Sequence, residues 1–94
     1  MLADLRSHRT EINEMARARG ASRVRVFGSV ARGDATETSD IDFLVDLDEG
    51  RGLFDLGGLL MDLQDFLGRN VDVVTEAGLR SRVSEKVLRD AVEL

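Results

Sequence analysis

Three short runs rich in β-branched residues, VRVFGS (24–29), SDIDFLVDL (39–47) and VDVVT (71–75), alternate with stretches of helical periodicity. That alternation is the main constraint on the fold, because period-two segments become strands and 3.6-period segments become helices that cover them. Residues 3–19 place Leu5, Ile12, Met15 and Ala16 on one stripe, with Gly20 as a stop signal. His8 falls on the same stripe without metal-binding company, so its ring is expected to pack at the core boundary. In residues 53–67 the core face should comprise Leu53, Leu56, Leu60, Leu63 and Leu67. Gly57 and Gly58 each cost that helix about 1 kcal/mol relative to alanine, which suggests close packing against the sheet. Residues 80–92 read as a closing helix with Val83, Val87 and Leu88 inward and Val92 at the margin. The expected order is α-β-(short α)-β-α-β-α, an α/β (α+β) domain with a small mixed β-sheet flanked by helices.

With 94 residues, one domain over 1–94 and one thin core are expected, and a partner adding stability would fit. There is no apolar run of membrane-spanning length, and Asp4, Arg6, His8 and Arg9 exclude a secretory signal in the first turns. The absence of cysteine rules out disulfides and thiolate metal sites and fits a cytoplasmic location. A net charge of −5 argues against nonspecific nucleic-acid binding, which needs basic groups to neutralise phosphates. The acids are also clustered. Asp40, Asp42, Asp46, Asp48 and Glu49 crowd one ten-residue stretch and repel one another unless they are solvated or share a cation.

Alternation along a strand puts Asp40 and Asp42 on one face, with Cα atoms roughly 6–7 Å apart, and Ile41, Phe43 and Val45 on the other. Leu44 shares the acids' face and should be buried. Carboxylates so spaced can converge on a pair of divalent ions, and hard oxygen ligands suit Mg²⁺ or Mn²⁺. A solvated strand face is the plainer alternative. Gly28-Ser29, followed by a short helical segment, would aim backbone N–H groups and a hydroxyl at an anion, and Arg32 could reach a terminal phosphate. Taken separately, those residues also make an ordinary turn. Asp72, alternating with Val71 and Val73, can supply a third acid on a strand beside the second one.

Gly28-Ser29, ten intervening residues and Asp40-Ile41-Asp42 match the G-S-x10-D-x-D signature of the DNA polymerase β-like nucleotidyltransferase superfamily. The longer string FGSVARGDATETSDIDFLVD, with VDVVTE downstream, closely resembles the minimal nucleotidyltransferases, small proteins commonly encoded beside HEPN-domain ribonuclease toxins and acting as their antitoxins. The likeness extends through GRGLFDLGGL to VLRDAVEL and shows no departure at the motif positions.

The resemblance implies a polymerase β-like nucleotidyltransferase fold in which Gly28 and Ser29 hold the ATP triphosphate and Arg32 assists. It implies that Asp40 and Asp42 bind Mg²⁺, and that Asp72 ligates the catalytic metal and helps deprotonate an attacking hydroxyl. The implied reaction transfers AMP from ATP to a tyrosine hydroxyl of the partner toxin. The implied assembly is a hetero-oligomer with that toxin. The sequence does not mark the surface that meets it; the rim of the metal site, with the terminal helices contributing, is our expectation. Alternatives are an antitoxin that masks the toxin by contact alone, or transfer to a small molecule or an RNA end. The short chain and acidic balance weigh against the last two.

Overall fold

The computed structural model describes residues 1–80 and 85–94. Its elements are α1 (Leu2–Ser7), α2 (Arg9–Ala18), β1 (Ala21–Phe27), α3 (Gly28–Arg32), β2 (Ile41–Leu47), α4 (Leu53–Leu67), β3 (Val71–Thr75), α5 (Glu76–Arg80), α6 (Glu85–Arg89) and β4 (Val92–Glu93). The strands form one mixed sheet in the order β3-β2-β1-β4: β1 is antiparallel to β2 and β4, and β2 is parallel to β3 through the α4 crossover. This is the expected α/β architecture of a small mixed sheet flanked by helices.

Alternation divides the sheet into two unlike faces. Val24, Val26, Ile41, Phe43, Val45, Val71 and Val73 point to one side, where they pack with Leu5, Ile12 and Ala16 of α1 and α2 and with Leu59 and Leu63 of α4. The other side carries Asp42, Leu44, Asp72 and Val74 and is covered only in part. There Phe27, Leu44 and Leu79 form a second, smaller core with Val87, Leu88 and Ala91 around it. Leu44 is indeed buried.

Several local expectations are corrected. The N-terminal helix breaks at His8 (φ −110°, ψ 16°), because the Ser7 hydroxyl donates to the Asp4 carbonyl at 2.6 Å and draws on the backbone acceptors of the last turn. His8 sets its ring edge-on to Phe66 at 5.5 Å but remains exposed rather than packed at the core boundary. The first strand begins at Ala21, three residues early. Exposed Ser22 and Arg23 conceal its start from a hydrophobicity pattern, and the register shifts between Ser22 and Arg25, where Arg23 has φ 49°.

In α4 the stripe is rotated: Leu59 and Leu63 are fully buried, Leu56, Leu60 and Leu67 partly so, and Leu53 is 84% exposed. Gly58 makes room for the Arg19 side chain rather than for the sheet, and a Cβ on Gly57 would meet open space. The closing helix ends earlier than expected, at Arg89. After α6 the chain extends into β4, where Val92 pairs with Val26 and Glu93 with Arg25, covering the outer edge of β1. Val83 lies outside the described residues.

Candidate active site

The acidic face is set by strand register. Asp42 and Asp72 are Cα partners across the parallel β2–β3 pair, so their side chains emerge side by side on the partly covered face, both half-buried. On the other flank, Phe27 is the partner of Asp42 across β1–β2, which brings the residue after it, Gly28, against the same carboxylate. Gly28 has φ +68°, and a Cβ built there would lie 2.5 Å from Oδ2 of Asp42. The turn out of β1 therefore requires glycine twice over, for its left-handed backbone and for the close approach.

From Gly28 the chain enters α3, which ends at Gly33 in the left-handed region (φ 79°). Ser29 follows Gly28 directly, and its carbonyl accepts from the Asp34 N–H at 3.0 Å. The exposed Arg32 guanidinium contacts the Asp34 carboxylate at 3.3 Å, an exchangeable surface pair. Gly28 and Arg32 line one cleft of about 210 Å³ with Ala31, Lys86, Val87 and Asp90. Lys86, the single lysine of the sequence, was not anticipated as a neighbour of the turn. Nothing in residues 80–92 signals that α6 faces α3 across this cleft, because that placement is tertiary.

Asp40 stands apart from the ladder. β2 begins one residue later, at Ile41, and Asp40 is exposed on the wall of a groove of about 540 Å³ lined also by Ser39, Gln64, Arg69 and Asn70. Its place is fixed indirectly. Nη2 of Arg69 donates to the carbonyls of Thr36 (2.8 Å) and Ser39 (2.7 Å), while the Ile41 N–H donates to the Asn70 carbonyl at 3.0 Å. The segment ahead of β3 thus clamps the loop that presents Asp40. Arg69 carried no sequence signal, since a lone arginine beside a Gly68 turn reads as surface charge.

Among the described residues no three histidine, cysteine, aspartate or glutamate side chains are already gathered closely enough to hold a metal ion. The donor chemistry nevertheless suits a hard divalent cation: two adjacent carboxylates on neighbouring strands, a glycine beside Asp42 with no side chain to crowd its carboxylate, and a third carboxylate on a tethered loop. Farther along the same face, buried Arg25 (5% exposed) donates from Nη2 to Oδ1 of Asp46 at 2.8 Å, so this acid of the cluster is committed to an ion pair.

Comparison with known proteins gives a consistent picture. The nucleotidyltransferase domain family matches residues 5–94. The chain is 39% identical over 88 residues to the protein adenylyltransferase MntA of Thermococcus cleftensis, an alignment covering 94% of this chain and 86% of that protein. A Methanocaldococcus jannaschii protein provisionally named a protein adenylyltransferase is 41% identical over 75 residues, 80% of this chain and 81% of that one. A solved structure provisionally described as a minimal nucleotidyltransferase superposes with a TM-score of 0.85 at 49% identity, covering 99% of this chain and 95% of its own. A toxin–antitoxin structure with AMP-PNP shares the fold at a TM-score of 0.69 and 23% identity, over 89% of this chain and 69% of its own.

Proposed function

The chain belongs to the nucleotidyltransferase domain family, and we propose that it is a protein adenylyltransferase antitoxin, transferring AMP from ATP to a tyrosine hydroxyl of a partner HEPN-domain ribonuclease toxin and so neutralising it. Residues 1–94 act as a single minimal nucleotidyltransferase domain in this reading. The observation that carries it is the pairing of Asp42 with Asp72 beside Gly28. Relatives named protein adenylyltransferases support the chemistry, and the resemblance to the minimal nucleotidyltransferases supports the toxin as acceptor.

Asp42 and Asp72, joined by Asp40 from its loop, would hold Mg²⁺, with Mn²⁺ as a substitute. Bound there, the cation supplies charge neutralisation for the polyphosphate and the leaving group. Gly28 and Ser29 seat the triphosphate at the turn out of β1, and Arg32 exchanges its contact with Asp34 for a terminal phosphate oxygen. Asp72 takes the proton of the attacking hydroxyl. The acceptor oxygen bonds to the α-phosphorus, the bond from that phosphorus to the bridging oxygen breaks, and pyrophosphate departs with the electron pair. The protein's contribution is alignment and charge, which suits carboxylates fixed on adjacent strands.

The test is toxin neutralisation by Asp40→Ala/Asp42→Ala. The enzyme reading expects neutralisation to be lost while the variant still folds. Full neutralisation by the variant would instead mean masking by contact alone.

A further inference from the structure

The outer face of α4 is apolar where solvent should make it polar. Phe54 is 97% exposed, Leu53 84% and Met61 56%. These residues and Gly57 lie within about 100° of one another around the helix, on the side away from buried Leu59 and Leu63. Gly57, with open space where a Cβ would stand, leaves a notch between Phe54 and Met61. The acids at positions 55 and 62 are each bound to an arginine, Asp55 to Arg51 and Asp62 to Arg19. The remaining exposed charges near the stripe are acidic: Asp48 and Glu49 ahead of α4, and Asp65 near its end. A concentrated aromatic and methionine surface with an acidic fringe is the composition of an interface centre and its rim.

A second copy of the chain is a poor occupant. Two α4 helices paired antiparallel would set Asp65 of one against Asp48 and Glu49 of the other, and paired parallel would set Asp65 against Asp65, so acid meets acid either way. The complementary surface is apolar at its centre and rimmed by lysine or arginine. We propose that the Leu53–Phe54–Met61 face of α4 is the anchoring surface for such a basic-rimmed patch on the partner toxin, a proposal that rests on the toxin-partner reading above. α4 covers the opposite side of the sheet from Asp42 and Asp72, so anchoring there leaves the acidic face uncovered.

The experiment measures binding of the full chain to the toxin encoded beside it, by calorimetry, with wild type, Phe54→Lys, Asp65→Lys and Asp42→Ala, alongside sedimentation of the chain alone. Phe54→Lys should weaken binding about 30-fold or more with an unchanged thermal midpoint, since the side chain it replaces is 97% exposed. Asp65→Lys should weaken binding severalfold at low salt and much less at high salt. Asp42→Ala should bind like wild type. Wild-type binding that Phe54→Lys leaves intact overturns the anchoring surface and spares the function reading. Absence of wild-type binding overturns both. Self-association of the chain that Phe54→Lys abolishes, with toxin binding unaffected, assigns the face to a second copy and overturns the proposal.

Discussion

Gly28 and Asp42 are in contact at the centre of the acidic face: a single added carbon on the glycine would lie 2.5 Å from Oδ2 of the aspartate. The turn that would seat the triphosphate and the strand that would hold the cation are therefore one unit, and neither can shift without the other. Gly28→Ala should accordingly damage both function and stability. Forcing alanine into the left-handed region costs about 1–2 kcal/mol, which for a domain of this size lowers the thermal midpoint by roughly 5–15 °C. Displacing the Asp42 carboxylate should cut AMP transfer by about 100-fold, the scale of a 1 Å misplacement. Calorimetry and a transfer assay below the lowered midpoint separate the effects, and a variant that is destabilised but fully active would mean that the contact has no catalytic consequence.

Arg69 should act as a positioning residue through the loop it clamps. Removing its donations to the Thr36 and Ser39 carbonyls frees Asp40 without touching Asp42 or Asp72. Arg69→Ala should raise the Mg²⁺ concentration for half-maximal transfer by about tenfold, as loss of an outer partner of a metal ligand commonly does, with a smaller change in the rate at saturating Mg²⁺. Arg69→Lys, able to donate to one carbonyl at a time, should fall between. An unchanged Mg²⁺ dependence in both variants would make the clamp purely structural.

The buried ion pair on the same face predicts an asymmetry. Asp46→Ala leaves the Arg25 guanidinium, with 6% of its side chain exposed, without its carboxylate. Because the Asp46 side chain is 42% exposed and water can partly replace it, a loss of about 2 kcal/mol is expected, less than for a fully buried pair. Arg25→Met, which removes the charge and keeps the volume, should cost less than Asp46→Ala. Equal losses in chemical denaturation would mean that packing, not charge, governs the position.

Asp55 should give stability a distinct acid limb. Its carboxylate accepts from the Gly52 N–H at 3.1 Å and, secondarily, from Arg51 at 3.1 Å, and these hold its pKa below the ordinary value of 3.8 despite some desolvation. A depressed folded-state pKa contributes stability that is fully present above the unfolded value and is lost as pH falls through the folded one. Asp55→Asn should therefore melt lower than wild type at neutral pH, and the gap should close below pH 3.8. A gap that persists unchanged into that acid range would assign the effect to shape rather than charge.

What the sequence disclosed and what it concealed follow from the range of the interactions. β2, β3 and α4 were legible because their apolar residues keep a period through the element, and the pairing of Asp42 with Asp72 followed from alternation once two strands were placed side by side. The short α3 after Gly28 was legible as a turn signal. The rotation of α4 was not, since its six leucines share one arc of about 120° and leave the core-facing line within that arc to be chosen by tertiary packing. β4 was concealed for a related reason: Val92 fits a helix stripe and a strand alternation equally well, and the unpaired edge of β1 decides. Asp40 was placed on the strand by alternation, whereas the ladder starts at Ile41 and a remote arginine fixes the loop before it.

Transfer of AMP from this site onto a toxin changes the mass of the toxin, so intact mass reads it without an intermediary. The chain is incubated with the toxin encoded beside it, ATP and Mg²⁺, and both proteins are weighed. The toxin should gain one or more AMP units on tyrosine with wild type and none with Asp42→Ala. An unmodified toxin in a stable wild-type complex, or equal modification with Asp42→Ala, would contradict it.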